Sequence, residues 1–204
     1  MQFRLTYEGS LYASSNGASR GDHKQEIRRR FHPQLKRLWE TNLPFQHLQI
    51  GLAPENRFST GEPRPFGLED LANQGRMGNF RFVPLVKASF DLWCGLDVLF
   101  LRRGKSGSVF KTGDIDNRVK TILDSLKKPQ DLQGIENASP VNGEDPFFCL
   151  FDDDSLVGKL SVETDDLLEF IGGGLPNDND ARIVITVTVR PAIATWGNMG
   201  FAAG

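Results

Sequence analysis

Two acidic stretches of this chain carry side chains whose types and spacing can do chemistry. The first is Gly113-Asp114-Ile115-Asp116-Asn117-Arg118-Val119-Lys120, running on to Asp124, and the second is Asp152-Asp153-Asp154-Ser155. On a helix Asp116, Lys120 and Asp124 stand at i, i+4 and i+8 and share one face, with Asp114 at or just before the helix start. A structural role would account for each stretch alone. Asp114 and Asp116 would cap the helix and favour its positive end, with Lys120 pairing to Asp116 and Asp124, and three acids after an apolar run would be a solvated turn. Together they imply more. Two carboxylates about 4 Å apart repel by roughly 1 kcal/mol in water and about 4 kcal/mol at an effective dielectric of 20. Such a cluster persists by raising a carboxylate pKa, pairing with a cation or binding a metal. Oxygen donors from separate segments, with no His or Cys nearby, favour Mg²⁺ or Mn²⁺ over Zn²⁺.

The elements that must position these groups follow from periodicity. Phe3, Leu5 and Tyr7 alternate with polar residues as in a half-buried strand. From about His23 to Trp39, Ile27, Phe31, Leu35, Leu38 and Trp39 form a narrow apolar helical stripe, with Pro33 expected to kink or restart the helix. Residues 41–79 read as an irregular excursion, a lid or dimer arm, with one helical turn at Gly67–Asn73. Alternation over residues 89–100 gives the clearest strand, which ends in the basic loop Arg102–Thr112. Val119, Ile122, Leu123 and Leu126 then mark a short helix ending near Pro129, and a polar loop leads to a buried strand at Phe147–Phe151. Leu156, Gly158, Leu160 and Val162 alternate, and Ile183–Val189 is a last strand. The expected fold class is α/β (α+β), a small two-layer mixed β-sheet with helices packed on one face, in one domain over 1–204 with insertions at about 41–79 and 129–146.

Composition bounds the rest. The chain has 204 residues, 39% hydrophobic and 25% charged, enough for a core without disulfides or structural metal. Cys94 and Cys149 sit in apolar runs and read as buried thiols of a cytoplasmic protein, and no apolar stretch is long enough to span a bilayer. The net charge of −2 hides an asymmetry: residues 20–37 and 101–128 each carry +5, residues 129–182 carry −11. A polyanion can be drawn to part of such a surface.

Gly-Asp-Ile-Asp-Asn-x-x-Lys-x-x-x-Asp, followed by Asp-Asp-Ser-x-Val, resembles the signature of the RusA-like Holliday junction resolvases, over about residues 88–163. The resemblance implies a dimeric, Mg²⁺-dependent endodeoxyribonuclease (Mn²⁺ being an alternative ion) that resolves four-way DNA junctions by paired nicks in recombination and repair, of bacterial, phage or prophage origin. It implies that Asp114, Asp116 and Asp154 hold the metal, that Asp153 aligns with the acid before the third ligand and is a further ligand candidate, and that Lys120 is the essential basic residue. Asp124 matches a further acid of that helix. Lys120 would place positive charge on the phosphate as the transition state develops. Arg118, Lys111, Arg102, Arg103 and Lys105 would contact flanking phosphates, with the Arg28-Arg29-Arg30 run as a second DNA face. Cutting two opposed strands of a symmetric junction needs two sites related by a two-fold axis, hence a homodimer.

Other motifs fail. Gly104-Lys105-Ser106 lacks the earlier glycine of a phosphate-binding loop, since that position is Leu99. Neither acidic stretch has the alternate acids and central glycine of a Ca²⁺ loop, and His23, His32 and His47 form no ligand pair. Two rival readings remain: a structure-tolerant metal-dependent nuclease, and a non-catalytic DNA-binding module whose acids serve as caps and turns.

Overall fold

The computed structural model describes residues 1–12, 18–42, 67–102, 112–169, 171, 179–195 and 197–202, with the side chains of 18, 19 and 112–114 outside that description. The elements in chain order are β1 (Gln2–Ser10), α1 (Ala18–Thr41), α2 (Leu68–Gln74), β2 (Arg76–Met77), β3 (Phe80–Val86), β4 (Leu92–Arg102), α3 (Thr112–Leu126), β5 (Phe147–Phe151), β6 (Val157–Asp166) and β7 (Asp180–Pro191). The fold is mixed α and β, as the sequence implies, but with two sheets where one was expected. One runs β1-β7-β4-β6, the other β2-β3-β5.

The four-stranded sheet follows the alternation of its sequence. Leu92, Cys94, Leu96, Val98 and Phe100 of β4 and Ile183, Ile185, Val187 and Val189 of β7 are buried on one face. Ile27, Phe31 and Leu35 of α1 and Ile122 and Leu126 of α3 belong to the same core. β4 pairs antiparallel with β7 and parallel with β6, so α3 lies in the connection between two parallel neighbours. That crossover governs the geometry of the site, because it carries the chain from the far end of β4 back to the level where β6 begins.

The second sheet differs from the sequence expectation for a physical reason. Apart from Arg81 near its start, Phe80–Val86 is an apolar run with Pro84 inside it, and Phe82–Val86 has no alternation to reveal a strand. It is buried along almost its whole length, because both faces are covered, and it pairs parallel with β5. Pro33 neither breaks nor restarts α1, which continues through it to Thr41. Beside it, His32 ties α1 to β5: its Nδ1 accepts from the Phe148 N–H at 2.9 Å and its Nε2 lies 3.0 Å from the Gly143 carbonyl. The ring therefore carries its proton on Nε2, and burial holds its pKa below the ordinary histidine value. Cys94 and Cys149 are free and buried, and burial pushes both thiols up to about 12. Among the described residues no helix is long and apolar enough to cross a membrane.

Candidate active site

α3 presents its functional and structural residues on different sides, as its spacing predicts. Ile122 and Leu126 point into the core, while Asp116 and Lys120, one turn apart, are exposed. Neither makes a hydrogen bond or ion pair among the described residues. The expected pairing of Lys120 with Asp116 and Asp124 is not what forms: Asp124 pairs with Lys24 of α1 at 2.6 Å. Asp114 lies in the first turn of α3, and its side chain is outside the described residues.

The second acidic stretch follows β5 and is committed to the end of α3. Asp152 lies 2.8 Å from Lys128 Nζ, and Asp154 lies 3.2 Å from Lys127 Nζ. Asp153 caps a short 3-10 turn by accepting the Ser155 N–H at 2.9 Å, and hydrogen bonding from Ser155 holds its carboxyl below the usual carboxylate range. These contacts place Asp154 at the C-terminal end of α3. Asp116 is near the other end, and the eleven residues from it to Lys127 span about 16 Å of helix axis. The β4–β6 register agrees, since β6 starts at Val157 beside Cys94, whereas the chain reaches α3 only after Arg102. Asp116 and Asp154 thus stand toward opposite ends of α3, and the side chain of Asp114, the third expected ligand, lies outside the described residues. Among the described residues no group of three or more His, Cys, Asp or Glu side chains is placed to hold a metal. The donor chemistry still suits a hard cation, being carboxylate oxygen throughout, and Asp154 remains well exposed despite its lysine.

The expected DNA-contacting residues divide. Arg118 is buried, and donates to the Leu11 carbonyl at 2.6 Å and to Asn179 Oδ1 at 3.1 Å, which locks α3 to the ends of β1 and β7. Arg28 is only 5% exposed and each of its three guanidinium nitrogens donates, to Gln25 Oε1 at 2.6 Å, the Asp124 carbonyl at 2.9 Å and the Lys127 carbonyl at 3.2 Å. It caps the C-terminal carbonyls of α3, and burial lowers its pKa to about 10. Both guanidinium groups are thus committed to acceptors within the fold, where surface phosphate contacts were expected. Arg29 reaches the Ser139 carbonyl and Glu144, so it serves the 129–146 loop. Arg30 alone of the three is exposed, and Arg102 is half-buried at the end of β4. Arg103, Lys105 and Lys111 lie outside the described residues.

Sequence reasoning overlooked Lys127 and Lys128, which with Lys24 and Arg28 line a polar cleft of about 170 Å³ beside the second acidic stretch. Their signal was available. Two lysines after the last turn of a helix suit its negative end, and both fall just before Pro129. No family model, no curated protein and no solved structure matches this chain.

Proposed function

We infer that this protein is a divalent-metal-dependent endodeoxyribonuclease acting on branched DNA, with a four-way junction as its substrate and a second copy of the chain as its partner. The observation that supports this reading is the first half of α3. There Asp116 and Lys120 are exposed one turn apart, and among the described residues neither has a hydrogen-bond or ion-pair partner. Caps and solvated turns would account for Asp152 and Asp153 but not for this pair. A binding module gains nothing from a free carboxylate aimed at phosphates unless a cation lies between them.

Asp114, Asp116 and Asp154 are the carboxylates that would hold Mg²⁺ or Mn²⁺, and the ion would supply a water of lowered pKa and neutralise charge on the scissile phosphate. Lys120 sets an ammonium beside that phosphate, where charge grows in the transition state. Because one chain keeps Asp116 and Asp154 at opposite ends of α3, the ligand set is completed from two copies, the pair from one and Asp154 from the other. A two-fold axis then gives two equivalent sites, as symmetric cutting of two strands requires.

The test is Mg²⁺-dependent cleavage of a mobile four-way junction beside linear duplex, flap and single strand. Paired symmetric nicks confined to the junction are expected. Equal cutting of all four would replace this reading with a structure-tolerant nuclease, and binding without cutting would leave only a DNA-binding module.

A further inference from the structure

We propose that β6 is a dimerisation edge, pairing antiparallel with β6 of a second copy about a two-fold axis through Ser161. This deepens the dimeric part of the function proposed above, though the sheet edge itself owes nothing to nuclease chemistry. Among the described residues β6 is the outermost strand of the four-stranded sheet, and its one ladder is to β4. Every residue from Gly158 to Asp165 is exposed, and among the described residues no backbone hydrogen bond leaves Gly158–Thr164 on the outer side. A ten-residue edge with unpaired N–H and C=O groups is a template for another strand unless something blunts it.

Its side chains state which strand fits. Leu160 and Val162 lie level with Leu96 and Val98 of β4, on the core side of the sheet, yet they are 45% and 36% exposed where the β4 residues are buried. Antiparallel pairing centred on Ser161 sets Leu160 opposite Val162 of the second copy, and Lys159 opposite Glu163, each twice by symmetry. Centring on Val162 instead would keep a charge pair, Lys159 opposite Asp165, but put Leu160 opposite Thr164 and Ser161 opposite Glu163. Centring on Leu160 would put Lys159 opposite Ser161 and Glu163 opposite Val157. Only the Ser161 register gives both Leu160 and Val162 an apolar partner while setting Lys159 against an acid, so the edge is complementary to itself.

The same register has a consequence for the acidic stretches. The start of β6, just after Asp154, comes alongside the end of β6 in the other copy. That end is paired with Arg102, the last residue of β4, from which the chain leads to the first turn of α3. Each copy therefore carries its Asp154 toward the Asp114–Asp116 end of the other.

The experiment is sedimentation of the full chain at micromolar concentration, with charge variants and a cysteine probe. Glu163→Lys sets two lysine pairs face to face and is expected to weaken the dimer at least about tenfold. Adding Lys159→Glu restores the opposite charges and with them the dimer, at the loss of the exposed Lys159–Asp97 pair. Ser161→Cys, lying opposite itself, is expected to give a disulfide-linked dimer on oxidation. Glu163→Cys, whose copies would stand about 13 Å apart along the strands, is not. Cys94 and Cys149 are buried and do not compete. A chain that sediments as a monomer overturns the proposal, as does a dimer that Glu163→Lys leaves intact and Ser161→Cys does not link. A dimer that behaves as described while cutting no DNA upholds this surface and removes the nuclease reading.

Discussion

Chains carrying Asp116→Asn or Asp154→Asn are each expected to lose at least about 10³-fold in junction cleavage, and to recover activity when the two are refolded together. The loss follows from removing one carboxylate from a cation that carries several kcal/mol of transition-state stabilisation. Recovery follows from the crossover geometry. If the ion lies between copies, a mixed dimer pairs the intact Asp116 of one chain with the intact Asp154 of the other at one site, and leaves the second site doubly defective. Random reassortment then makes about a quarter of all sites competent. Both residues are exposed, so neither substitution should disturb folding, and the Asp154–Lys127 pair lost in one of them is a surface pair of little weight. A mixture no more active than its components would show that each chain assembles its ligands alone, against the arrangement described.

The second large effect separates buried from exposed basic residues. Arg28→Met is expected to lower unfolding stability by roughly 2–4 kcal/mol, read from urea titration, because it leaves the Asp124 and Lys127 carbonyls without their donor. It should leave the salt dependence of DNA binding unchanged. Lys120→Met, the same loss of charge at an exposed site, should shift stability by no more than about 0.5 kcal/mol and reduce cleavage sharply. If Arg28→Met instead flattened the salt dependence at full stability, Arg28 would be a phosphate contact and its burial would be misleading.

These contrasts show which features a sequence displays and which it conceals. The Asp116–Lys120 face is local: spacing of four on a helix puts both groups on one side whatever the rest of the chain does. The alternation of β4 and β7 is equally local, because one face meets the core and the other meets water. The arginine run misled for a reason that the same geometry supplies. Consecutive helical residues point about 100° apart, so Arg28, Arg29 and Arg30 cannot form one face, and they end up buried, half-buried and exposed in turn. Burial of Arg118 was hidden differently, since its partners Leu11 and Asn179 come from distant segments that no pattern in the α3 sequence announces. β3 escaped notice because a strand covered on both faces has no period to read. The separation of Asp154 from Asp116 was the least visible feature. It depends on where β5 emerges relative to the two ends of α3, and therefore on the topology of the whole crossover.

The central claim is that one cation is held jointly by Asp116 and Asp154, and the most direct measurement is Mn²⁺ binding followed by electron paramagnetic resonance as free Mn²⁺ is depleted. The wild-type chain is expected to take up Mn²⁺, Asp116→Asn and Asp154→Asn to lose that uptake separately, and their refolded mixture to regain about a quarter of it. Uptake that survives either substitution unchanged, or that is absent from the wild type, would contradict the account.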